Sequence, residues 1–425
     1  MRHFVEKGAA YFTISATDRE LLRPLGERMA DIARHPVNDE RKRLWQKVND
    51  LQGERPMIWY NDIPWHELDV DGELDLQCSG AYAREVEQEL RQTLYQWTHF
   101  SGDMVVSPFL VCYKRFTNTM FGIEEKVDLA LTDESSEIVS RHFHIQMAEE
   151  ADIDKIQMPQ VRYLREETEA SHAALEWAFT DVLPIQVVGQ QNIWYTPWDF
   201  LVRWMGVDES LLALYDKPEW VHRVYERMVD VYCSILDQFE AQGLLSLDNS
   251  NCQVGSGAYG YVSDLPGTKE DPDPVRPCHM WGCANAQILD VVSPQMHWEF
   301  ALAHDMRWIS RFGLTYYGCC EALDKKLDLM RRIPNLRKIS VSPWADMRRA
   351  VEGIGKDYVI SHKPNPAIMA TEAFQPEEAK STLEAYRDMT RGLSTECILK
   401  DISTVKYDPK RLWEWDAIAK RCFGA

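Results

Sequence analysis

The chain is 425 residues long, enough for one large core or for a core with a sizeable extension. Its 67 acidic and 47 basic residues give a formal net charge of −20, which disfavours nucleic-acid and anionic-membrane partners, since phosphate binding needs clustered Lys and Arg. Ten cysteines in so long a chain make no disulfide framework, and neither a signal-peptide core nor a run near the roughly 18 apolar residues of a membrane span is present, so reduced thiols in a cytoplasmic protein are expected.

Residues 1–100 read as a mainly helical extension, from Asp18-Arg19-Glu20-Leu21 to the amphipathic stretch Ala83–Leu94. Within it, Arg55-Pro56-Met57-Ile58-Trp59-Tyr60 is a short extended run. A rhythm of short apolar segments then fills residues 101–425. The predicted strands are Val105–Cys112, Leu183–Gly189, Leu244–Ser250, His279–Ala284, Leu314–Cys319, Lys338–Ser342, Tyr358–Ser361 and Glu396–Asp401, each bounded by Gly, Pro, Asn or Asp. Helices are predicted at Glu219–Gln242, Pro294–Arg311, Leu323–Arg332, Met347–Gly353 and Pro376–Arg391, and an extra hairpin at Ile138–Ile145. Strands joined by connections of helical length predict a parallel α/β fold, a (β/α)₈ barrel of the TIM type. The Gly/Pro/Asp-rich interval 255–277 has no periodicity and reads as a long loop over an active site.

In such a barrel the C-terminal strand ends share one mouth. Polar side chains recur after these apolar runs, among them Asp248, Asn249, Cys283, Gly318-Cys319-Cys320-Glu321, His362-Lys363 and Lys400-Asp401. Charged groups are costly to bury unpaired, so their recurrence predicts one polar cavity. Asp248, His362 and Asp401 are candidate acid–base catalysts. Thiolates and carboxylates suit zinc, and Cys283, Glu299 and Cys320 come from consecutive strand–helix units, which makes them the candidate zinc ligands. His279, Glu321 and Cys397 are reserves, and alternation along the strand sends Cys319 to the core. No phosphate-cradling Gly loop, dinucleotide fingerprint or nucleophile elbow is found.

Three short segments, in order, resemble the uroporphyrinogen decarboxylase superfamily over roughly residues 55–420. They are Arg55-Pro56-Met57-Ile58-Trp59, Lys217-Pro218-Glu219-Trp220-Val221-His222 and Asp290-Val291-Val292-Ser293-Pro294 with Trp298-Glu299-Phe300. The decarboxylases continue their early segment into an arginine-bearing run, whereas this chain reads Tyr60-Asn61-Asp62-Ile63-Pro64-Trp65. The likeness is therefore closer to the superfamily's zinc- and corrinoid-dependent methyltransferases, including those that demethylate aryl ethers. That resemblance implies zinc (Zn2+), a corrinoid (cobalamin) carried on a partner protein, and a small methyl donor or acceptor. It makes Trp59, Trp194, Tyr195 and Asn249 the candidate substrate-binding residues, with a homodimer expected from the family. A metal-independent decarboxylase or lyase of a small substrate is the alternative.

Overall fold

The computed structural model describes residues 4–130, 140–268 and 272–425. Its centre is a parallel sheet of six strands, with two further strands forming a parallel pair of their own. They are β1 (Met57–Tyr60), β2 (Leu110–Tyr113), β3 (Ile185–Val188), β4 (Trp281–Ala284), β5 (Leu314–Tyr317), β6 (Leu336–Val341), β7 (Val359–His362) and β8 (Thr395–Leu399). Six form one sheet in the order β1-β8-β7-β6-β5-β4, and β2 pairs with β3. β4, β5 and β8 are buried at every position, the pattern of a parallel sheet covered on both faces.

Hydrogen bonds of other kinds link the two groups. Beyond β3, Gln190 N donates to Leu244 O at 2.6 Å and Ser246 N to Gln190 O at 3.2 Å, a short parallel bridge. From there to β4 the link is a side chain, Asp248 Oδ1 accepting from Trp281 N at 3.0 Å. At the free edge of β1, Asp103 N donates to Ile58 O at 3.0 Å, and the Asp103 carboxylate accepts from Ile58 N at 2.7 Å. Described strand ladders therefore confirm a parallel α/β architecture, with a continuous eight-strand ladder not formed among the described residues. The predicted strand Leu244–Ser250 supplies only that bridge, while Met57–Tyr60 takes a full place beside β8.

Helices α1 (Ala16–Ala33), α2 (Val37–Asn49) and α3 (Ala81–His99) pack around β1 and β2. Ser15 caps α1, its side chain accepting from Asp18 N at 3.0 Å. The long α4 (Pro218–Ala241) begins with Pro at its first turn and buries Trp220, Tyr225, Met228, Tyr232 and Phe239 in the largest core cluster. α5 (Pro376–Met389) covers β7 and β8. The hairpin expected at Ile138–Ile145 is met by Val127–Ala130 pairing antiparallel with Ser140–Phe143, residues 138 and 139 lying outside the described residues. Among the described residues no helix is long and apolar enough to cross a membrane.

The expected loop at 255–277, of which residues 269–271 lie outside the description, is not a loose cover. Its first part folds inward as a hairpin: Val254 N donates to Ala258 O at 2.9 Å, and Val254 through Gly260 are all buried. A Cβ on Gly257 would lie 2.4 Å from Glu396 Oε1 and 2.8 Å from the Tyr316 ring, so only glycine lets the backbone pass this close.

Candidate active site

The strand ends of β5 to β8 hold a cluster of thiols and ammonium groups. β5 ends at Tyr317, and Gly318 then turns with φ of 97°, which favours glycine. The turn brings both following thiols to one place: Cys319 Sγ lies 3.7 Å from Cys320 Sγ and 3.7 Å from Lys400 Nζ. Lys400 Nζ is 3.1 Å from Asp401 Oδ2, which is itself 3.9 Å from Cys320 Sγ. Asp401 adopts a left-handed conformation, φ 56°, which Asp tolerates better than most residues with a side chain. The turn is stitched by Glu321, whose carboxylate accepts from Cys319 N at 2.8 Å and Ala286 N at 3.2 Å.

Beneath the thiols lies Lys363, fully buried just past β7. Its Nζ donates to Tyr316 Oη, to Ser340 Oγ at 2.7 Å and to Ser361 Oγ at 3.1 Å. Deeper still, Lys338 Nζ and Glu396 Oε2 form a buried ion pair at 3.0 Å. Burial pushes Lys363 down to about 7. The hydrogen bond from Cys320, with the Lys400 and Lys363 ammonium groups, holds the Cys319 thiol below its ordinary value against the opposing effect of burial. The same pairing, with burial, drives Cys320 upward, so of the two thiols Cys319 is the one that gives up its proton first. Burial presses Lys400 down, but Cys319, Asp401 and Cys320 outweigh it and leave its value raised.

A second feature is a cavity of about 1160 Å³ on the β2–β3 side. Trp59, Trp194, Tyr259, Gln191, Asn249 and Asn251 are among its walls. The inward hairpin separates this cavity from the thiol cluster. On the cavity side Gly255 N donates to Asn192 Oδ1 at 2.9 Å; on the cluster side Ser256 Oγ is 3.0 Å from Tyr316 Oη and Gly257 O accepts from Asn61 Nδ2 at 3.2 Å.

The candidate residues read from the sequence divide accordingly. Trp59, Trp194 and Asn249 line the cavity. Tyr195 does not: it is fully buried, donates to Asp305 Oδ1 at 2.9 Å and stacks on Trp308. His362 is also removed from the thiol cluster, because strand alternation turns it outward to stack on Tyr386 at 4.4 Å, and burial lowers it to about 3. The neighbouring Lys363 takes the inward place. Asp248 is fully buried with Oδ2 lacking a protein partner, and burial pushes it up to about 7. Asp401 alone of the three acid–base candidates touches the cluster.

The proposed zinc ligands are not brought together. Cys283 is buried, donates to Ile193 O at 3.2 Å and is pushed up to about 12 by burial, so its thiol keeps its proton. Glu299 is exposed in a separate hollow, 3.7 Å from His222 Nε2. It lies in a π-helical turn, Trp298–Leu302, whose inward side chains are Phe300, Ala301 and Leu302. Among the described residues no three His, Cys, Asp or Glu side chains could hold a metal ion, and Lys400 already supplies the positive charge beside Cys319. The residues present do not fit a zinc held by Cys283, Glu299 and Cys320. Of the reserves, His279 Nδ1 accepts from Arg276 N, Glu321 holds the Cys319 turn, and burial pushes the Cys397 thiol up.

Sequence reasoning sent Cys319 to the core, passed over Tyr316, and counted Lys363 among the polar groups at the strand ends without giving it a role. The Cys-Cys pair followed by a late Lys-Asp was the available signal for the charge arrangement.

No family model matches the chain, and no curated protein matches it. Among solved structures, a methyltransferase from Methanosarcina mazei is similar at 10% identity with a TM-score of 0.48, over 90% of this chain and 98% of that one. At that level the chemistry has to be read from this chain's own residues.

Proposed function

We propose that the protein is a methyltransferase in which the Cys319 thiolate is the soft nucleophile that meets the methyl group. The observation that carries the reading is Cys319 Sγ at 3.7 Å from both the Lys400 ammonium and the Cys320 thiol. A thiolate held among ammonium groups is suited to displacement at a methyl carbon. In that step the sulfur–carbon bond forms, the bond from carbon to the substrate's heteroatom breaks, and the electron pair leaves with the heteroatom. Lys400 and Lys363 keep the sulfur ionised, Cys320 retains its proton, and the hairpin at 254–260 excludes water and must move aside for substrate.

The ordered segments that resemble the uroporphyrinogen decarboxylase superfamily, together with the missing arginine run, favour a partner protein whose cobalt would supply the reversible methyl carrier. The same reading takes the two parallel strand groups as the wall of one (β/α)₈ barrel with its chemistry at the C-terminal strand ends. The test is a digest of full-length protein after incubation with isotopically labelled methyl donors. One methyl group on the peptide carrying Cys319, absent in Cys319→Ser, is expected. Methyl transfer to a corrinoid carrier that survives in Cys319→Ser would overturn the reading.

Lys363 favours a second reading, the metal-independent lyase. An amine lowered to about 7 and contacting the Tyr316 phenol can condense with a ketone or aldehyde, losing water to give an imine. Borohydride reduction in the presence of a small 2-oxo acid would then add that acid's carbon skeleton to Lys363, and no adduct would dismiss this reading.

A further inference from the structure

The 1160 Å³ cavity has several amide side chains in its walls. Each of them gives at least one N–H to the protein itself. Asn249 Nδ2 donates to Leu265 O at 2.8 Å, Asn251 Nδ2 to Ser107 Oγ at 2.7 Å, Gln253 Nε2 to Gly255 O at 3.0 Å, and Gln191 Nε2 to Leu247 O. An amide that donates its nitrogen to a carbonyl has its oxygen left to accept. Each of these side chains therefore has an amide oxygen that can accept from a ligand, alongside any N–H left over. The aromatic walls are Trp59 and Tyr259, whose rings are 4.6 Å apart, and the half-buried Trp194. Glu85 and Glu89 stand at the cavity's rim. Among the described residues its one guanidinium, Arg115, is bound to Glu167 at 2.7 Å and lies over the Phe4 and Phe12 rings.

Acceptor oxygens, aromatic faces and acidic side chains with the cation already engaged are what a positively charged ligand requires. Indole faces attract cations that carry methyl groups in place of N–H donors. The geometry points to a methylated ammonium compound as the ligand of this cavity. Its role as methyl donor rests on the methyl-transfer reading, and the chemistry suits it: loss of a methyl cation to a thiolate lets a quaternary ammonium leave as a neutral amine, without a proton transfer.

The test is calorimetric titration of the full chain with choline and with its uncharged isostere 3,3-dimethylbutan-1-ol. Choline is expected to bind roughly ten-fold more tightly, a difference in line with a desolvated cation–aromatic contact. Trp59→Leu should lose most of that preference and Trp59→Phe should keep it, with far-ultraviolet circular dichroism unchanged in both. Equal binding of the alcohol, failure of choline to bind, or tighter binding of a neutral aromatic methyl ether would each overturn the assignment. Choline binding with no methyl reaching Cys319 would keep the cavity assignment and remove the methyl-transfer reading. A methylated Cys319 without choline binding would do the reverse.

Discussion

Replacing Lys400 by Met tests the charge arrangement on which the site depends. The ammonium lies 3.7 Å from Cys319 Sγ, and its side chain is only 9% exposed, so solvent screens it little. At an effective permittivity of about 20, two unit charges at that separation interact by about 4.5 kcal/mol, equivalent to roughly three pKa units on the thiol. Asp401, at 3.1 Å from Lys400 and half-exposed, offsets part of this field. A rise of about two units in the Cys319 midpoint is therefore expected in Lys400→Met, and a much smaller one in Lys400→Arg. The midpoint is read from ultraviolet thiolate absorbance against pH, taken as the difference between each protein and its Cys319→Ser counterpart. A shift below about half a unit in a folded Lys400→Met protein would refute the argument that Lys400 sustains the thiolate.

Four other outcomes are expected. Folded Lys363 releases its proton near 7, whereas the unfolded chain holds it to about 10.4, so the unfolded state binds more protons between those values. Wild-type stability should therefore rise relative to Lys363→Met from pH 7 to pH 10 in urea titrations; a constant gap would contradict the burial argument. Asp248 runs the other way: the folded carboxyl keeps its proton to about 7 and the unfolded one only to about 4, so wild type should lose stability relative to Asp248→Asn as pH rises through that window. Gly257→Ala places a Cβ 2.4 Å from Glu396 Oε1 and should cost about 1–3 kcal/mol, read as a lower urea midpoint; an unchanged midpoint would show that the hairpin does not pack against the strands. Metal content should be the same in wild type, Cys283→Ser and Glu299→Ala, and stoichiometric zinc lost in either variant would restore the ligand set drawn from the sequence.

Much of the parallel sheet was legible because its strands are buried on both faces. Runs such as Leu314–Tyr317 and Thr395–Leu399 then read as short apolar blocks between turn residues. Leu244–Ser250 has the same composition but lacks a neighbour beyond one bridge, since Asp248 turns its side chain to Trp281 N instead. Met57–Tyr60 was seen only as an extended run because its partner, β8, lies at the other end of the sequence. At the site, alternation failed at a definite residue. It predicts opposite directions for Cys319 and Cys320, but the strand has ended at Tyr317 and the positive φ of Gly318 resets the chain, bringing both sulfurs together. Lys363 was visible as a polar group at a strand end, but its surroundings were not: what makes it buried and satisfied is Tyr316 and Ser340, contributed by two other strands. The zinc set gains no support from the side-chain geometry, because equal spacing along strand–helix units does not fix which way a helix side chain faces, and Glu299 faces solvent.

The pairing of β1 with β8 has a consequence for biosynthesis. Met57 lies opposite Glu396 and Tyr60 opposite Leu399, so β1 waits for a strand that is made far later. Until then Ile58 and Tyr60 lack the neighbours they bury against, Leu399 and Trp415 among them. Contacts of such long sequence separation form slowly, and unpaired strands invite association with other chains. The nascent protein should therefore lean on chaperones until β8 has been made, and removing the helix Lys410–Phe423 should yield an aggregating chain rather than a smaller folded one.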